Sequence, residues 1–144
     1  MSMIDITQKK EIYREAIASG IIYLKESTID LIQQDKIKKG CPLHTAEATA
    51  LLAVKQTPLL LPHCHPIPIQ NIIFEELVGK DSIKIKLTVA AIAKTGVEME
   101  ALVGVSIALN TIWDMVKYLE KDEGGQYPGT RITDIQVEKK IKEG

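Results

Sequence analysis

"DSIKIKLTVAAIAK", Asp81 to Lys94, is the stretch whose reading decides the fold. Ile83, Ile85, Leu87, Val89 and Ala91 recur at every second position, with Lys84, Lys86 and Thr88 between them. A period of two is that of a strand, here with one apolar face and one polar face. Just upstream, "IQNIIFEELVG" (Ile69 to Gly79) is a second β-rich run, and the break near Gly79 predicts a hairpin. Further back, "KEIYREAIASGIIYL" sets Tyr13, Ile17, Ile21 and Tyr23 against Ile12, Ala16, Ala18, Ile22 and Leu24, also at even spacing. This predicts a long strand apolar on both faces.

The remaining elements follow from this frame. Between the first strand and the hairpin, "KESTIDLIQQDK" predicts a short helix with Ser27 as its N-cap. The loop "KIKKGCPLH" follows, then "TAEATALLAVKQT", a helix apolar almost all round. Pro58, Pro62, Pro66 and Pro68 are expected to end regular structure there and leave "HCHP" rigid and extended. After the hairpin, Leu102, Val105, Leu109, Ile112, Val116 and Leu119 alternate steps of three and four, a helix from about Val97 to Lys121. Thr95 and Glu98 carry a capping-box signature at its start. A loop, "EGGQYPGT", leads to a last strand, "RITDIQVEKKI".

The order is β-α-α-β-β-α-β. It predicts an α+β, ferredoxin-like fold: an antiparallel four-stranded sheet with helices on one face, plus an extra helix. The face carrying Lys84, Lys86 and Thr88 then needs cover, and a partner subunit is the expected one. At 144 residues the chain is read as a single domain, 1–144.

Composition narrows the function classes. A net charge of −1 gives no global positive field, which argues against nucleic acid as a partner. The N-terminus lacks the apolar core of a signal peptide, and no run approaches the ~18 apolar residues of a membrane span. Two cysteines, Cys41 and Cys64, make no disulfide framework, so a cytoplasmic protein with reduced thiols is expected. Lysines nevertheless cluster locally, at Lys36, Lys38 and Lys39, at Lys84 and Lys86, and at Lys139, Lys140 and Lys142, where an anionic small molecule could be held.

Three groups of residues can carry chemistry. Asn110, Asp114, Lys117 and Lys121 share a polar ridge of the long helix, where an acid and an amine three residues apart are neighbours. Lys94, Glu98 and Glu100 surround a strand-to-helix junction, whose free N–H groups favour anions. His63, Cys64 and His65 are consecutive, so an extended chain would point Cys64 away from both imidazoles. That disfavours a metal shared by all three, and no metal is expected. A segment presenting an imidazole to a ligand fits better.

The stretches "KKGCPLHTAEATALLAVKQTPLLLPHCHPIPI", "KTGVEMEALVGVSIALNTIWDMVK" and "ITDIQVEKK" together resemble the molybdenum cofactor biosynthesis protein C family, the cyclic pyranopterin monophosphate synthases. The resemblance runs from about Arg14 to Lys140. It implies a ferredoxin-like fold and a homohexamer, a trimer of dimers, with sites between subunits. It implies rearrangement of a 3′,8-cyclised dihydroguanosine triphosphate to cyclic pyranopterin monophosphate with release of diphosphate, without a redox cofactor. Carried over by position, Asp114, Lys117 and Lys39 match catalytic residues. His63, Cys64, His65, Met99, Glu100, Glu98, Lys94, Arg14 and Lys140 match substrate-contacting stretches. Cys41 stands where most members have aspartate, His63 where they have leucine, the loop "KDEGGQYPGTR" is longer than usual, and the glycine-rich tail of many members is absent. Two rivals remain: a non-catalytic oligomeric ferredoxin-like module binding an anionic nucleotide, and a metal-dependent hydrolase built on "HCH".

Overall fold

A computed structural model describes residues 2–144. The elements are β1 (Ile12–Tyr23), α1 (Glu26–Gln33), α2 (Pro42–Leu60), β2 (Asn71–Val78), β3 (Ser82–Ala93), α3 (Glu98–Glu120) and β4 (Arg131–Glu143). They form an α+β fold in the expected β-α-α-β-β-α-β order. The strands make one sheet in the order β2-β3-β1-β4, and every neighbouring pair is antiparallel. This is the ferredoxin-like arrangement.

The alternation in β3 behaves as the pleat requires. Ile83, Ile85, Leu87, Val89 and Ala91 are all fully buried, and Ala16, Ala18 and Ile22 of β1 join them against the helices. α3 supplies Val105, Leu109, Ile112 and Val116, each fully buried. α2 closes over α3 at Gly104, where an added Cβ would lie 2.8 Å from Val54 Cγ2 and collide with Leu87 Cδ2. A side chain there would wedge the two helices and the sheet apart. By length and composition α3 is apolar enough to cross a bilayer, which counting uninterrupted apolar residues does not register. Its apolar stripe is instead spent on the sheet.

Four local expectations need correction. Ser27 does not cap α1: the cap position is Lys25, without a side-chain bond of its own. The buried carboxylate of Glu120 does the work instead, accepting from the Lys25 N–H and the Thr28 hydroxyl. Thr95 does not cap α3 either; the cap position is Val97, and Glu98 pairs with Lys140. Pro58 lies inside α2, which runs on to Leu60. Finally, "HCH" is not uniformly extended. A turn closes with Cys64 N–H donating to Leu61 O at 3.0 Å, and no regular element follows it until β2.

β4 departs from simple alternation. Its pairing with β1 shifts register twice, between Ile17 and Ala18 and between Ser19 and Ile21. Asp134, at the first of these irregularities along β4, takes a left-handed φ of 57°. Each shift exchanges inward for outward residues. Ile132 lies opposite Ile22 and Val137 opposite Ala18, on the helix side, whereas Glu138 reaches Lys84 and Lys86 on the other face. After the second shift Lys140 lies opposite Ala16 and is back on the helix side, where it meets Glu98.

Candidate functional site

One group of candidate residues gathers at the C-terminal half of α3. Lys117 Nζ lies 3.0 Å from Asp114 Oδ1, the one-turn neighbour expected from their spacing. Lys39 arrives from the turn before α2, donating to the Asp114 backbone carbonyl at 2.9 Å, with its ammonium 3.9 Å from Oδ2. That turn is held in two ways. The Lys38 N–H donates to the Tyr118 hydroxyl at 3.0 Å, and Gly40 takes a φ of 110° that suits glycine alone. Two ammonium groups from distant segments therefore converge on one carboxylate. Asn110, Trp113, Asp114, Lys117 and Ile132 line an open cleft of about 400 Å³ beside them.

The electrostatics follow from this geometry. The hydrogen bond from Lys117, then its charge and that of Lys39, hold the Asp114 carboxyl below the ordinary carboxylate range. The same hydrogen bond raises the Lys117 ammonium above the ordinary lysine range. Both shifts run away from neutrality, so in the free chain the pair is fully ionised. Each shift weakens its group's proton chemistry in the free chain: Lys117 becomes a weaker acid and Asp114 a weaker base.

A second group lies around the other end of α3. Glu98 Oε1 is 3.4 Å from Lys140 Nζ. Glu100 is nearly buried, and burial first, then the Glu98 charge, pushes its carboxyl upward. Burial and the Glu100 charge likewise raise the Cys64 thiol, which makes it a poor nucleophile at neutral pH. Met99 is exposed. His65 is half-buried in a groove with Lys94, Ile6 and Glu11, and His63 is exposed beside it. Arg14 is buried, with Nε donating to Ala93 O at 2.9 Å and Nη2 to Lys94 O at 3.2 Å. Its guanidinium thus shapes the end of β3. Among the described residues, no three His, Cys, Asp or Glu side chains gather as a metal-ligand set.

Within one chain these groups do not meet. Glu100 and Asp114 stand fourteen positions apart along α3, which at helical rise is about 21 Å. Sequence reasoning also passed over the N-terminal arm. Lys94 Nζ reaches Thr7 O at 3.3 Å, and Asp5 lies within electrostatic reach of His65 and Lys94. No periodicity or motif marks that arm, so nothing in the sequence pattern pointed to it.

A model of the MoaC family matches residues 3–143. A protein of Aeropyrum pernix named probable cyclic pyranopterin monophosphate synthase is 52% identical over 140 residues, covering 97% of this chain and 96% of its own. Proteins of the same name from Pyrococcus furiosus and Pyrococcus abyssi are each 53% identical, over 143 and 142 residues. Both matches cover 99% of this chain, with 92% and 89% of the respective relatives.

Proposed function

The chain belongs to the MoaC family, and from that premise we propose that it is a cyclic pyranopterin monophosphate synthase, a lyase of molybdenum cofactor biosynthesis. Its substrate is the 3′,8-cyclised dihydroguanosine triphosphate, and its products are cyclic pyranopterin monophosphate and diphosphate. The observation that carries the reading is the convergence of Lys39 and Lys117 on Asp114 beside an open cleft.

The chemistry asks for what these residues offer. Lys39 and Lys117 bind the phosphates and stabilise the departing diphosphate. Ring opening and closure need proton transfers. Lys117, held protonated by Asp114, donates; Asp114 keeps that ammonium aimed and takes a proton only once bound substrate has displaced water from the pair. Glu100, Met99, His65 and Lys94 grip the other parts of the substrate, with Glu98 and Lys140 setting the entrance to α3. Arg14 acts by holding the backbone at Ala93 and Lys94, a positioning role.

A complete site then requires two chains, because about 21 Å of α3 separates its halves. The sheet face away from the helices supports assembly. Ile73, Leu77, Ile92 and Tyr13 are exposed there, beside the Glu138 carboxylate held between Lys84 and Lys86. A homohexamer is the assembly we propose, and light scattering coupled to sizing measures it.

The deciding experiment feeds purified protein the cyclised triphosphate and assays diphosphate and the pterin. Formation of both in equal amounts supports the synthase. Tight binding without turnover would favour a non-catalytic module and overturn it.

A further inference from the structure

Trp113 is the chain's one tryptophan, and it immediately precedes Asp114. It is half-buried, lines the cleft together with Asp114 and Lys117, and packs against the core. Its ring also meets Tyr127, with centroids 5.0 Å apart and planes at 62°, an edge-on aromatic contact. Tyr127 comes from the loop between α3 and β4, which is pinned at several points. The Asp122 carboxylate accepts the N–H groups of Gly124 and Gln126, both at 2.9 Å, and the Asp122 N–H donates to Gln126 O at 2.9 Å. Thr130, at the end of the same loop, donates to Glu120 at 2.7 Å. A glycine-containing surface loop is thus fastened in the shape that brings one aromatic ring against another at the rim of the candidate site.

We propose that Trp113, braced by Tyr127, is the stacking wall of the Asp114 cleft, against which the flat purine-derived ring system of the substrate lies. The inference rests on the function proposed above and adds to it a place for the heterocycle. Lys39 and Lys117 supply charge for phosphates and a proton for the ring chemistry, but no flat apolar surface for a planar ring to lie on. An indole face presents a broad apolar surface, and stacking a base on an aromatic side chain is worth about 1–3 kcal/mol. Tyr127 contacts Trp113 without lining the cleft, so it is a positioning residue. Held at a fixed tilt, the indole loses no rotamer freedom when a ring settles on it.

A single tryptophan makes the test direct, because all indole emission reports on this one position. Titration with GTP, which carries both a purine and a triphosphate, is expected to quench the emission strongly. Inorganic tripolyphosphate, with the charge but no ring, is expected to leave it unchanged while competing with GTP. In turnover of the cyclised triphosphate, Trp113→Ala is expected to raise KM about ten-fold with kcat little altered. Trp113→Phe recovers most of that loss, and Tyr127→Ala gives a smaller rise. Melting curves establish that each variant is folded. Emission indifferent to millimolar GTP, or a folded Trp113→Ala with unchanged KM, overturns the proposal. Failure of the wild-type protein to form product would instead sink the synthase reading, and the GTP titration would still decide whether rings stack on Trp113.

Discussion

Lys25 and Glu120 cap one another's helices. The Lys25 N–H, at the start of α1, faces both carboxylate oxygens of Glu120 at 3.3 and 3.2 Å, while the Lys25 ammonium donates to Leu119 O at the end of α3 at 2.9 Å. Glu120 is almost completely buried and also accepts from Thr28 and Thr130. A polar group in such a place is tolerated because both oxygens accept hydrogen bonds. Glu120→Ala would strand two hydroxyls and an N–H, and is expected to lower unfolding free energy by about 3 kcal/mol in urea titrations. A change below about 0.5 kcal/mol would contradict this account.

Gly104 makes the next prediction. Its hydrogen faces Val54 and Leu87, where α2, α3 and the sheet meet. Gly104→Ala gains helix propensity but overfills that contact, and a net loss of about 1–3 kcal/mol is expected. Thermal denaturation that rises on this substitution would show that the layers have slack.

Glu100 should act in the opposite direction. Its carboxyl is raised by burial, so the folded chain binds a proton more readily than the unfolded one. Stability therefore falls as pH climbs from the ordinary glutamate value through the raised one. Glu100→Gln is expected to stabilise the protein at pH 7 by about 1 kcal/mol, to flatten that dependence, and to impair turnover. Equal stability of variant and wild type across pH 4 to 8 would remove burial as the cause.

The Asp114 and Lys117 pair gives a prediction for pH and rate together. Because their shifts run outward, kcat/KM should show no titration of either group between about pH 5 and 9, once phosphate ionisation is allowed for. Asp114→Asn withdraws the partner that raises Lys117, so the alkaline limb should move to lower pH. Lys117→Ala should cut kcat by about 10²–10⁴. Both side chains are solvent-exposed, so the melting temperature should hardly move in either variant. A wild-type limb near neutrality would show that the free enzyme's pair is already poised.

Much of the fold was legible in the sequence, because burial on one face writes itself as period. Ile83 to Ala91 and the Leu102 to Leu119 stripe each behave as their spacing dictates. The errors fall where a distant residue overrides a local signal. Ser27 and Thr95 have cap chemistry, yet Glu120 from the far end of α3 serves the first helix and Lys140 draws Glu98 from the second. Of the two shifts in β4, the one at Asp134 is visible only in retrospect, as the three-residue step from Ile132 to Ile135, and the one at Glu138 leaves no such mark. The candidate site divides in the same manner: the Asp114 and Lys117 contact follows from their spacing, the approach of Lys39 is indicated only by the resemblance, and the Trp113 and Tyr127 contact is legible only in the folded loop.

The length of α3 has a genetic corollary. If each working centre borrows its acid and amine from one polypeptide and its Glu100 end from another, two dead alleles need not give a dead enzyme. Chains carrying Asp114→Asn hold a sound Glu100 half, and chains carrying Glu100→Gln hold a sound Asp114 half. Co-assembled from a mixture, some centres draw both good halves and turn over, although neither parent alone does.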